Sequence, residues 1–97
     1  MTMAWDELRR RVEAVVEWHD YMVGNMASGA VVMGVYMSTL PCGDATVWEV
    51  FIGDGDTIAL GEEEHHDDAK AAAIDAAVDH FAEVLRFFGV SVVEAER

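Results

Sequence analysis

The chain has 97 residues, 53% of them hydrophobic, and a formal net charge of −13 at pH 7. That length provides for one core and no second, so residues 1–97 are expected to form a single acidic domain. The hydrophobic content excludes a disordered acidic tail, and the charge argues against direct contact with nucleic acid or anionic membrane.

The opening residues, Met1 to Glu7, show no basic stretch followed by an apolar one, so no export signal is expected. Asp6 can cap a first helix. Leu8, Val12, Val15, His19 and Met22 follow at spacings of four, three, four and three, which traces one helical face. Gly24-Asn25 reads as its stop. Trp5 and Trp18 flank the stripe as core or core-edge residues.

Strands come next. In Ala30–Leu40, Val31, Met33, Val35 and Met37 share one face at period two. Pro41-Cys42-Gly43-Asp44 is a turn. In Ala45–Ile52, Thr46, Trp48, Val50 and Ile52 alternate with Val47, Glu49 and Phe51, and Glu49 marks the second set as the wetter face. Gly53-Asp54-Gly55-Asp56 is a hairpin signal, and Thr57–Gly61 supplies a short third strand.

A polar stretch, Glu62–Asp68, leads into a second helix over about Asp67 to Phe88. Asp67 and Asp68 suit its N-terminus. Ala73, Ala77, Phe81, Val84, Leu85 and Phe88 form its apolar stripe, and the alanines allow close approach to a sheet. Gly89 ends the helix, Ser91-Val92-Val93 can pair briefly, and Glu94–Arg97 is expected to fray. The expected fold class is α+β, ordered αβββα: three antiparallel strands with both helices on one face and a more polar face left uncovered. The longest nearly apolar run, Gly29 to Met37, is well short of the ~20 residues of a membrane helix.

Residues 1–43 hold five acids against three bases, and residues 44–97 hold fourteen against three. On the second helix, Asp68, Asp75, Asp79 and Glu83 are seven, four and four apart and share one face. Like charges four apart on a helix oppose its formation by a few tenths of a kcal/mol each, roughly. Asp54, Asp56, Glu62, Glu63 and Glu64 can extend the row. A carboxylate array of this kind can occupy a groove built for phosphates. It can also be a solvated face, or an adaptation to a salty cytoplasm.

Chemistry-bearing patterns are few. Asp54-Gly55-Asp56 fails as a calcium loop, because Ile58, Ala59 and His65 fall where an oxygen ligand, glycine and glutamate are needed. His65, His66, Asp67 and Asp68 suit zinc or nickel by type, but adjacent histidines converge poorly, and no metal site is expected. His19 and His80 are expected to be half-buried structural histidines. Cys42 has Asp44 beside it and no neighbouring base, which disfavours a nucleophilic thiolate. No phosphate loop, nucleotide fingerprint or Ser/His/Asp arrangement stands out. No catalytic residue and no cofactor is expected, and the chain is expected not to be an enzyme.

The order of elements, with Ala69-Lys70-Ala71-Ala72-Ala73 opening the last helix, resembles the double-stranded RNA-binding domain. That family binds phosphates from a basic cluster at this place. Here the stretch is Glu62-Glu63-Glu64-His65-His66-Asp67-Asp68, so the resemblance implies a fold and not RNA binding. Size, acidity and build also resemble the small phage-encoded anti-CRISPR proteins, some of which imitate DNA. That resemblance implies an inhibitor that presents Asp54, Asp56, Glu62, Glu63, Glu64, Asp68, Asp75, Asp79 and Glu83 to a basic nucleic-acid-binding protein or CRISPR effector complex. The expected state is a monomer or weak homodimer. With one cysteine and no export signal, the expected place is the cytoplasm, that of the host cell if phage-encoded. A small structural or adaptor domain, self-associating through the exposed sheet edge or the apolar end Phe87-Phe88-Gly89-Val90, with charge that serves solubility or salt adaptation, is the alternative.

Overall fold

Trp5, Leu8 and Val12 bury one face of helix α1 (Trp5–Val15) in the computed structural model of the chain, which describes residues 1–22, 27–53 and 55–94. The helix begins at Trp5 after an extended Ala4 with no side-chain cap, so Asp6 is not the cap. Asp6 and Glu7 instead lie in the first turn, where the helix dipole favours carboxylates. A three-residue strand, β1 (Thr2–Ala4), precedes it.

The first helix is shorter than its apolar stripe implies. It stops at Val15, Val16 is extended, and His19–Met22 forms strand β2. Two physical reasons converge. Val15-Val16 is a β-branched pair that a helix accommodates less well, and residues 19–22 gain a ladder by pairing antiparallel with the next strand. His19 is therefore on a strand, not a helical face. The stop read at Gly24-Asn25 lies outside the described residues.

The long strand read over 30–40 is two strands, β3 (Ala27–Val32) and β4 (Val35–Cys42). Val32 pairs with Val35, so Met33-Gly34 is a two-residue hairpin loop. Both loop residues have positive φ, 50° and 79°, which is the type I′ geometry that matches strand twist. The turn resets the alternation. Ala30, Val32, Val35 and Met37 point inward, while Val31 points outward and Met33 is 86% exposed at the tip.

The remaining hairpins follow their glycines. Cys42 pairs with Ala45 around Gly43-Asp44, with positive φ at Gly43. Strand β5 (Ala45–Ile52) joins β6 (Asp56–Glu63) through a turn in which Gly55 N–H donates to the Ile52 carbonyl. A bulge at Val50/Phe51 adjusts that register. The result is a five-stranded antiparallel meander, β2-β3-β4-β5-β6, rather than the three strands expected. The αβββα order is corrected accordingly, and with it the match to the double-stranded RNA-binding fold.

Helix α2 (His66–Phe87) doubles back over β4, β5 and β6 and lies beside α1. Ala69, Ala73 and Ala77 are fully buried, so the alanines do permit close approach. The buried sector also takes in Ile74, Val78 and Ala82, because α1 covers that side. Val84 and Phe88, assigned to the stripe by spacing, are exposed. Gly89, with φ of 89°, closes the helix: its N–H donates to Arg86 and Val90 N–H donates to Leu85, a Schellman motif. Strand β7 (Ser91–Val93) then pairs in parallel with β1, Thr2 opposite Ser91 and Ala4 opposite Val93. Among the described residues, no helix is long and apolar enough to cross a membrane.

With both helices on one face, the other face of the sheet is uncovered. It is more apolar than expected. Val31, Tyr36, Leu40, Val47, Phe51 and Leu60 point outward there, among His19, Ser38, Glu49, Thr57 and Glu62.

Candidate functional site: an acidic ridge and a buried polar cluster

Because α2 returns along β6, acids distant in sequence share one side of the molecule. Glu64 is exposed just before the helix, Asp68 lies in its first turn, and Asp75, Asp79 and Glu83 follow on one face. A helix of 22 residues is about 33 Å long, so the ridge is extended and rigid. Its far end reaches Ile58 and Ala59 of β6, beside Asp79, His80 and Glu83. Glu62 and Glu63 alternate across β6, so Glu62 faces the open side and Glu63 the helix side. Asp56 lies at the opposite end of that strand. Asp54 lies outside the described residues.

The acids do not form one equivalent set. Arg9 Nε donates to Asp75 Oδ1 at 2.6 Å, and Arg9 Nη1 to Glu13 Oε2 at 2.6 Å. Its hydrogen bond to Asp75 is the main cause that raises the guanidinium above its usual range, against partial burial that lowers it. The indole N–H of Trp5 donates to Asp79 Oδ1 at 2.8 Å. Both contacts fasten α1 to α2. Asp75 and Asp79 are thus part of the helix pairing as well as of the ridge.

Among the described residues, Asp56, Glu62, Glu63, Glu64, Asp68 and Glu83 have no ion-pair partner. The two cations of α2 itself are turned elsewhere. Lys70 Nζ lies 5.4 Å from the centroid of the Trp18 ring, and Arg86 Nη2 donates to the Val92 carbonyl at 2.8 Å.

A second cluster escaped the sequence reading, because its members are far apart in the chain. Under the start of α2, Ser28 Oγ donates to Asp20 Oδ1 at 2.7 Å and lies 3.3 Å from His66 Nε2. Ser28 is fully buried, and its cross-strand neighbour Thr39 is too. Thr39 Oγ1 and His66 Nδ1 have no hydrogen-bond partner among the described residues. In an acyl-transfer triad the carboxylate holds the histidine and the serine is accessible. Here the serine is the middle group and has no access, so the cluster does not have that geometry. The contact also explains why His65 and His66 do not converge: His66 turns inward to Ser28, while His65 is exposed. Among the described residues no three His, Cys, Asp or Glu gather as a metal ligand set. Cys42 is exposed and free.

No family model, no curated protein and no solved structure matches this chain.

Proposed function

We propose that the chain is a small interaction protein whose acidic ridge enters a basic groove on a nucleic-acid-binding protein or CRISPR effector complex and blocks nucleic-acid binding there. The observation that carries this reading is the ridge itself: Asp68, Glu83, Glu63 and Glu64 lie along or beside one rigid helix, and the neighbouring Lys70 and Arg86 are directed away from them. Fixed carboxylates at helical spacing meet a cationic groove without first losing side-chain partners. Association of this kind is fast and weakens steeply with salt.

The reading also assigns unequal parts to the acids. Asp68, Glu83, Glu63 and Glu64 supply the contact, Glu62 lies on the other face of the sheet, and Asp75 and Asp79 hold the helices together. Reversing Asp75, Asp79 and Glu83 together would therefore confuse lost binding with lost packing. The test uses Asp68→Lys with Glu83→Lys, which spares both helix contacts. The protein is immobilised and exposed to nuclease-treated host lysate at about 0.05 M and about 0.5 M salt, where the screening length differs roughly threefold. A basic nucleic-acid-binding protein retained only at low salt, released by duplex DNA and not captured by the double variant, is the expected result. A blank at both salts, or capture indifferent to the double variant, overturns it.

A self-associating adaptor is a second reading, and the apolar outer face of the sheet favours it. Glu49 in the middle of that face counts against pairing two identical copies through it.

A further inference from the structure

The outer sheet face has a feature that an ordinary uncovered sheet lacks. The rings of Tyr36 and Phe51, cross-strand neighbours on β4 and β5, stack at 5.3 Å with planes 7° apart. The next pair along the same face is Ser38 and Glu49. Thr57, the partner of Phe51 on β6, donates to Glu49 Oε2 at 2.5 Å, which draws the carboxylate toward the aromatic pair. Glu49 thus presents one hydrogen-bonded carboxylate among Val47, Phe51 and the 68% exposed Leu60. Beyond the aromatic pair, a shallow hollow runs over Gly29 and Val31 to Glu17 and His19.

We infer that this face docks a basic amphipathic helix of a partner protein, with an arginine of that helix lying on the Tyr36–Phe51 pair and reaching Glu49. Three arguments select this occupant. Contiguous apolar surface on a sheet is normally covered by another layer, and a helix about 10 Å wide covers the three strands β4 to β6, spaced about 4.8 Å apart. Among the described residues, the charges on the face are the carboxylates Glu17, Glu49 and Glu62, whereas Arg9, Arg10, Arg11, Lys70 and Arg86 are all on the helices. A guanidinium stacks on an aromatic face and pairs with a carboxylate in the same pose. A second copy of the chain fits poorly, because face-to-face docking would bring Glu49 against its own image in a protein of charge −13. This surface is the opposite face of the sheet from α2, and it stands independently of the ridge proposal.

The probe is a synthetic 18-residue helical peptide with one leucine stripe flanked by arginines. Its control carries citrulline, an uncharged isostere, at every arginine. Binding to the full chain is followed by calorimetry at about 0.1 M salt. The arginine peptide should bind and the citrulline peptide should bind at least tenfold more weakly. Glu49→Gln should weaken the arginine peptide about tenfold, and Leu60→Ser about fivefold. Leu60 is exposed and Glu49 half-buried, neither is in the core, and thermal unfolding confirms the fold of both variants. Asp68→Asn with Glu83→Gln should leave the affinity within twofold.

Equal binding of the two peptides, or an unchanged affinity for Glu49→Gln, overturns the inference. So does a dimer in sedimentation that Leu60→Ser dissolves, which would assign the face to a second copy. A peptide weakened by the α2 double variant and not by Glu49→Gln also overturns it, and moves the binding to the ridge. A blank in the lysate experiment does not touch the peptide result, so the two proposals fail separately.

Discussion

The indole nitrogen of Trp5 donates to Asp79 Oδ1 at 2.8 Å, joining residues 74 apart in the chain. Trp5 is 5% exposed and belongs to the main core, whereas Asp79 lies on an exposed helix face. One ring therefore packs the core with its body and fixes an acid of the ridge with its edge.

Replacing Trp5 with Phe keeps most of the apolar body and removes the donor. We expect a loss of about 1.5–3 kcal/mol, because the bond ends on a carboxylate and some ring volume goes too. Asp79→Asn should lose less, since its amide oxygen still accepts. The double variant should fall short of the sum of the singles, the sign of a direct coupling. Urea unfolding of all four proteins gives the comparison, and fully additive losses would contradict it.

Gly61 lies opposite Trp48 on the inner side of the sheet. A Cβ there would stand 2.7 Å from Trp48 Cζ2, closer than real contacts allow. The obstacle is a rigid ring, so it cannot yield by a rotation at its tip. Gly61→Ala should cost about 1–3 kcal/mol in urea unfolding, through overpacking. Adding Trp48→Phe should recover part of that cost. An unchanged midpoint for Gly61→Ala would contradict the packing.

Met33 occupies a left-handed position, φ 50°, at the first place of a type I′ loop, with its side chain in solvent. Asparagine tolerates that conformation better than methionine, and Asn-Gly is the favoured pair. Met33→Asn should raise stability by about 0.5–1 kcal/mol without changing the denaturant slope. A lower midpoint would show that methionine makes contacts at the tip that asparagine lacks.

The same residue shows why the strand region was only partly legible. Gly43 and Gly55 announce their turns because glycine supplies positive φ, and both hairpins are where the sequence places them. Met33 is not a turn residue by type, so the alternation in the sequence runs through it and predicts one strand where there are two. Residues 15–22 carry the opposite ambiguity. Leu8, Val12, Val15, His19 and Met22 satisfy helical spacing, but residues 19–22 pair with β3, and that long-range ladder decides the outcome. The acidic spacing on α2 was legible from local periodicity. The Arg9–Asp75 and Trp5–Asp79 contacts were not, since no local pattern links residues 66 and 74 apart. The polar outer face is expected because no helix covers it, and Glu49 fits that expectation, but Val31, Tyr36, Leu40 and Leu60 are exposed on it.

The parallel pairing of β1 with β7 has a mechanical consequence. In this ladder Thr2 lies beside Ser91 and Ala4 beside Val93, and Ser91 N–H also donates to the Met1 carbonyl. A pull that draws the start of β1 away from the end of β7 acts along both strands in opposite senses. It loads all the ladder's hydrogen bonds together in shear instead of peeling them one by one. Tension between the two ends would meet this short clasp before it reached α1, α2 or the meander, so a patch of three residue pairs sets the first resistance of the whole molecule to being stretched.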